Sequence, residues 1–336
     1  MLLNDLDYSF SESLIAIEKV APSRVMCVTN GDPSEITIAQ LLDQIPTGDV
    51  LVINNTQVLK RRVFSEGGLE ILFLKQISAL DWTVLFPASR VGDREHVQLP
   101  DGVSMQLLTR GLPQSVRLSQ AIDESYFEKV GELPLPPYIQ KARGERHTRE
   151  QDTLSYQTEW ARRPGSFAAP TASLHFAKQD LEQLKARGVQ VLELTLHVGL
   201  GTFLPVKNFE THEMHAEWVE LPDATWQAIR KAQSQGHHIW ALGTTVTRAL
   251  ESAAQHQLQL LGGAWQGWSE LFIRPPYTFR VVDRLLTNFH QPKSTLLALV
   301  ATFAGLETVH SSYQWAIERQ FRLFSYGDLS VWMTRR

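Results

Sequence analysis

GDVLVINNT, residues 48–56, decides the fold. Val50, Leu51, Val52 and Ile53 are apolar without a break, and the run stops at Asn54-Asn55-Thr56. A strand with one wet face alternates apolar and polar side chains. A continuous apolar run suits a strand covered on both faces, as in an α/β sheet.

The same grammar recurs downstream. In VLELTLHV, residues 191–198, Leu192, Leu194, Leu196 and Val198 share one face, and Glu193, Thr195 and His197 share the other. HAEWVEL, 215–221, reads as a strand, followed by a helix near 223–235. HHIWAL, 237–242, reads as a strand that stops at Gly243, and a helix opens at Thr245 or Thr247. A helix near 171–187 places Leu174, Ala177, Leu181 and Leu184 on one face. STLLALVATFAGL, 294–306, reads as a buried helix with Ser294 as its N-cap and Gly305 just past its end. Strands alternating with helices imply a largely parallel sheet.

Between Val63 and Pro137 the pattern changes to short β-rich pieces (LEILFLK, WTVLFP, EHVQLP, VSMQLL, SVRLS) separated by turn residues. That spacing predicts a small all-β sandwich or barrel. The expected architecture is α/β. A large domain with a mostly parallel sheet, residues 1–62 and 151–336, is interrupted by a small β-barrel domain, residues 63–150.

Net charge is −4, so nucleic-acid contact would have to come from local patches. Two runs qualify: Lys60-Arg61-Arg62, and Lys141, Arg143, Arg146 and Arg149 in KARGERHTR. The same charges also fit solvated loops. The single cysteine, Cys27, rules out an internal disulfide and makes a reducing cytoplasm the simplest setting. The N-terminal MLLNDLDYSFSESL lacks the basic region of a signal peptide. The longest charge-free apolar run is shorter than the about 20 residues that cross a bilayer.

Ligands of open α/β sheets bind beyond the carboxyl ends of strands. His197 and Thr202 fall there, and so do Thr245 and Arg248, where a helix N-terminus favours an anion. Plain turns and N-caps explain these residues equally well. His215 and Glu217 share a strand face, which suits acid–base work near neutral pH. The spacing is not H-E-x-x-H, so no metal is expected. Asn288, His290 and Asp328 lie at further turns or strand ends, and His175 follows the small residues of GSFAAPT.

GSFAAPTASLHF, TLHVGLGTF, HEMHAE, GTTVTRALES, TNFHQPKSTLL and FSYGD occur in this order. Together they resemble the S-adenosylmethionine:tRNA ribosyltransferase-isomerase family of queuosine biosynthesis, over nearly the whole chain. The resemblance implies transfer and isomerisation of the ribosyl part of S-adenosylmethionine onto the aminomethyl group of a 7-deazaguanine at the tRNA wobble position. S-adenosylmethionine would be a co-substrate, tRNA (its anticodon stem–loop) the partner, and no metal, membrane or protein partner would be needed. A cytoplasmic monomer is the expected form.

His215, Glu217 and Asp328 are then the proton-transfer candidates. Asn54, Thr171, His175, His197, Thr202, Thr245, Arg248, Asn288 and His290 would bind substrate. Some positions depart from the family's usual pattern. Asn55 and Gln57 replace an acid and a base, Ser173 a Gly, Ala216 a Ser, Pro276 a Gly and Gln291 a Leu. Two other readings stay open: a paralogue with another acceptor, and a non-catalytic RNA-binding protein on the same fold.

Overall fold

A computed structural model describes residues 1–92, 95–199, 201, 206 and 208–333. The chain divides into two compact units. One gathers Met1–Gln57, Pro136–Glu145 and Gln151–Arg336; the other gathers Val58–Leu135 and Arg146–Glu150. Residues 58–62 thus go with the small unit, and 136–145 return to the large one.

The large unit carries a ten-stranded sheet. From edge to edge its strands are Gln259–Leu261, Ala264–Ser269, Glu217–Pro222, Gln190–Leu196, Val50–Asn54, Ile239–Leu242, Arg284–Asn288, Leu329–Met333, Arg24–Thr29 and Asp32–Thr37. Val50–Asn54 is buried throughout and runs parallel to both neighbours. Val50 and Val52 enter one apolar cluster, Leu51 and Ile53 another. The first cluster includes Val246, Ala249 and Leu250 of the helix Thr244–Ala254, and the second Leu181 and Leu184 of the helix Lys178–Ala186. The unbroken apolar run is therefore the signature of a central strand with helices on both faces.

The sheet is mixed, not mostly parallel. Four pairings are parallel and five antiparallel. A parallel step needs a crossover, whereas a tight turn reverses the chain. Gly262 and Gly263, at φ 57° and 81°, make such a turn between Gln259–Leu261 and Ala264–Ser269.

The helix expected near 171–187 is two pieces. A 3-10 turn spans Thr171–His175, Phe176 and Ala177 are extended, and the α-helix begins at Lys178. Asp180 accepts a hydrogen bond from the Ala177 N–H at 2.7 Å, which starts the helix there. His175 therefore closes a 3-10 turn and does not sit in a first α-helical turn. The strand expected at 215–221 begins at Glu217, so His215 precedes it. The helices Asp223–Ser234 and Thr295–Ala304 stand as read, the latter with Ser294 Oγ accepting from the Leu297 N–H.

In the small unit six antiparallel strands pair in the order Arg62–Phe64, Glu70–Gln76, Asp81–Leu85, Gln114–Leu118, Ser104–Thr109 and His96–Gln98. They wrap a core that includes Ile71, Phe73, Trp82, Val84, Val116 and Phe127. The end strands are three residues each, too short for a full closing ladder; Glu66 N–H reaches the Gln98 carbonyl at 2.9 Å. The result is a curled half-barrel where a small barrel was expected.

Asn54 ends the central strand fully buried. Its Nδ2 donates to the Leu196 carbonyl at 2.9 Å, and its Oδ1 accepts from the N–H groups of Leu196 and Thr56, each at 3.1 Å. The side chain extends the ladder where the strands part. N54A leaves three buried backbone groups without this partner, each worth roughly 1–3 kcal/mol. Urea unfolding should show a loss of about 3 kcal/mol or more; a loss within 0.5 kcal/mol, roughly that of a neutral surface change, would remove this role.

Candidate active site

A pocket in the large unit opens where several strands end. Val198, just beyond Gln190–Leu196, lines it, with Thr287 and Asn288 from the end of Arg284–Asn288 and Gly243 after Ile239–Leu242. Gly243 has φ 101°, a backbone state that side chains with a Cβ rarely adopt, and the strand turns there directly into the helix Thr244–Ala254. Thr244 and Thr245, at the positive end of that helix, face the pocket.

Glu217 and Arg248 form its charged floor. Their side chains are 4% and 6% exposed and make an ion pair through Glu217 Oε2 and Arg248 Nη1. Glu217 Oε1 accepts from the Gly199 N–H at 2.8 Å. Arg248 Nε donates to the Leu271 carbonyl at 3.2 Å, while Nη2, buried, makes no hydrogen bond among the described residues. Among the described residues, one strong donor of a pocket-lining side chain is therefore unused.

A polar chain crosses another wall. Thr171 Oγ1 donates to Asn288 Oδ1 at 2.7 Å, and Asn288 Nδ2 lies 3.0 Å from His175 Nε2. With Nδ2 as donor, Nε2 must accept. The ring proton then sits on Nδ1, 2.7 Å from Ser23 Oγ. Burial pushes His175 down to about 4, with Lys19 and Arg322 adding to the shift and Asp328 opposing it. His290 lines the pocket, its Nε2 2.8 Å from Thr287 Oγ1, and burial pushes it down to about 3. Both rings are neutral at pH 7.

Tyr138, Tyr156 and Phe324 add an aromatic side to the pocket. Sequence reasoning did not select them. Their only signal was membership of the stretches LPLPPYI, SYQTEWA and FRLFSYGD.

The remaining candidates lie elsewhere. Asn54 is held by backbone as described. His197 is not in the pocket lining; its Nδ1 is 2.8 Å from Thr56 Oγ1 and burial lowers its pKa. His215 is exposed. Asp328 is fully buried outside the lining. It accepts from the N–H groups of Arg24 at 3.0 Å and Arg322 at 2.8 Å and pairs with the Arg322 guanidinium. Thr202 lies outside the described residues.

Among the basic residues, Lys60 pairs with Glu128 at 2.8 Å, Arg61 with Glu124, and Arg62 with Glu132 at 2.8 Å. Arg61 also stacks on Phe127, 4.1 Å from the ring centre. Arg143 makes a buried bidentate pair with Asp152 at 2.7 and 2.8 Å. Lys141, Arg146 and Arg149 are exposed. Among the described residues no cluster of three or more His, Cys, Asp or Glu could hold a metal ion.

A sequence model of the queuosine biosynthesis protein family matches residues 3–331. The chain belongs to this family. It is 40% identical over 346 aligned positions to the S-adenosylmethionine:tRNA ribosyltransferase-isomerase of Halothermothrix orenii, covering 98% of each protein. The enzyme of that name from Geotalea uraniireducens is 39% identical, again with 98% of each covered. The crystal structure of an S-adenosylmethionine tRNA ribosyltransferase from Thermotoga maritima has a TM-score of 0.56 and 29% identity, covering 98% of this chain and 100% of that one.

Two departures from the family's usual residues have local explanations or consequences. Asn55 Nδ2 donates to Glu193 at 2.9 Å, and its Oδ1 accepts from Thr195 Oγ1 at 2.7 Å. The usual Asp would set a second carboxylate against Glu193. Ser173 buries a hydroxyl that makes no hydrogen bond among the described residues, a cost that a Gly avoids.

The two neutral histidines give a pH prediction. Their folded pKa values lie below the unfolded value near 6.5, so between about 6.5 and 4 the unfolded chain binds more protons. Stability is full above pH 6.5 and falls as the pH drops through that window. Urea unfolding of H290N should lose less stability than the parent between pH 7 and 4. Equal losses would mean His290 titrates normally in the folded state.

Proposed function

We propose that this chain transfers and isomerises the ribosyl moiety of S-adenosylmethionine onto 7-aminomethyl-7-deazaguanine at the wobble position of tRNA, giving epoxyqueuosine-tRNA, adenine and methionine. Beyond family membership, the observation that carries this reading is the buried Glu217–Arg248 pair with its unused Arg248 Nη2, set in a pocket beside a helix N-terminus.

The chemistry asks for a base, an acid and an anion site. Hydrogens beside a sulfonium are acidified, so a positioned carboxylate can remove one. Glu217 takes that role. Arg248 Nη2 and the N–H groups at Thr244 and Thr245 receive the methionyl carboxylate. Adenine, a flat ring, lies against Tyr138, Tyr156 and Phe324. The Thr171–Asn288–His175 chain and His290 hold hydrogen bonds as neutral groups. Asp328 acts through position, by fixing Arg322 and the start of the strand Arg24–Thr29 near His175. His215, exposed two residues before Glu217, is the remaining candidate for the acid that protonates the departing adenine.

Lys141, Arg146 and Arg149 contact phosphates of the anticodon stem–loop, so binding should weaken steeply with salt. Lys60, Arg61, Arg62 and Arg143 contribute mainly by holding carboxylates. A monomer in the cytoplasm, with Cys27 buried and reduced, is the simplest form of this reading.

The test is adenine release from S-adenosylmethionine with tRNA carrying the aminomethyl-deazaguanine, together with the mass gain of the nucleoside. E217Q should lower kcat by about a hundredfold, a usual loss for a missing acid–base group; because it also removes the charge partner of Arg248, its melting temperature is measured beside its turnover. Parent-like turnover by E217Q would take Glu217 out of the chemistry. R248M should instead destabilise the fold by about 3–5 kcal/mol, because it strands a buried carboxylate. Bound S-adenosylmethionine without adenine release by the parent would point to another acceptor.

A further inference from the structure

The face of the large sheet turned away from Leu194, Leu196, Val219 and Leu221 carries an unusual row. Val219 pairs with Leu196, and the His197 N–H donates to the Trp218 carbonyl at 3.0 Å, so His197 and Trp218 are neighbours. Trp218 pairs in turn with Trp268. Three ring-bearing residues on three adjacent strands therefore share this face, their backbones at the usual strand spacing of about 4.8 Å. The two indoles meet edge to face, 5.4 Å between centres and 68° between planes. Gly165 backs the row at its other end, where a Cβ would meet the His197 ring at 2.6 Å.

Trp268 is 63% exposed, an unusual place for the largest apolar side chain. Charge borders the row. Arg163, on the neighbouring strand Arg163–Ser166, reaches Glu220 at 2.6 Å, one face position along from Trp218. Arg162 reaches Glu193 at 2.5 Å. Both arginine side chains are more than half exposed, and such surface pairs are weak enough to exchange a carboxylate for a phosphate.

We propose that the His197–Trp218–Trp268 row is a stacking platform for unpaired nucleobases of the tRNA, with Arg162 and Arg163 taking the adjoining phosphates. Bases splayed from single-stranded loops stack on aromatic rings displayed by a sheet, and arginines beside them follow the backbone. The location fits. Val198 and Glu217 line the pocket, and each directly follows or precedes a ring of the row in sequence. A loop can pass over the strand ends, with one base in the pocket and its neighbours on the rings. A second copy of the chain is the competing occupant. The arginine border favours RNA.

The proposal rests on tRNA being the substrate, so the test separates the two. The full-length protein is titrated with unmodified anticodon stem–loop RNA, and turnover with tRNA is followed in parallel. W268A removes a surface ring, and its melting temperature checks the fold. It should bind the RNA about tenfold more weakly, since one stacked base is worth roughly 1–3 kcal/mol, while W268F, which keeps a stacking face, recovers most of the affinity. In turnover the loss should fall on KM for tRNA. Turnover by the parent with unchanged RNA affinity in W268A overturns the platform and leaves the enzyme reading intact. Absence of both turnover and RNA binding in the parent overturns both. A change in sedimentation with RNA affinity unmoved overturns the platform in favour of a contact between copies.

Discussion

The ion pair between Glu217 and Arg248 is the constraint on which the rest of the pocket depends. It joins the start of the strand Glu217–Pro222 to the first turns of the helix Thr244–Ala254, and both side chains are buried. Neither charge could stay in an apolar interior alone. The pair therefore fixes where the helix N-terminus points. The Gly199 N–H on Glu217 and the Leu271 carbonyl on Arg248 complete most of the remaining valence. What they leave over is Arg248 Nη2, buried and without a hydrogen bond among the described residues.

Around that pair the protein lowers the charge of its other polar groups. His175 and His290 are buried deeply enough to stay neutral, and their ring nitrogens meet Ser23, Asn288 and Thr287. Neutral rings donate and accept hydrogen bonds without adding positive charge near the pocket. Asp328 works the other way at longer range, its charge raising the His175 pKa against the effect of burial. With its oxygens already engaged, it acts on His175 through its field.

The small unit solves a different problem with the same residue types. Its basic run Lys60-Arg61-Arg62, which looks from sequence like a patch for RNA, neutralises Glu128, Glu124 and Glu132 within the unit. Arg61 shows why composition misleads here. A guanidinium can lie flat on Phe127 and still reach a carboxylate, so a basic run can be interior.

Sequence by itself determined the central strand, because four apolar residues in succession cannot serve a one-sided sheet. It determined the helices 223–234 and 295–304, the latter through its charge-free apolar run and the Ser294 cap. The family was also legible, since ordered motifs need no geometry. Only the tertiary structure decided which polar residues meet. Glu217 faces Arg248 because two elements 31 residues apart converge, while Asn54, at the end of the central strand, is held mainly by backbone. Tyr138 and Tyr156 enter the pocket from stretches in which the sequence reading placed no site residue. The mixed sheet order and the row of His197, Trp218 and Trp268 were likewise out of reach of sequence. Strand neighbours are set by long-range hydrogen bonding, and local pattern carries no record of it.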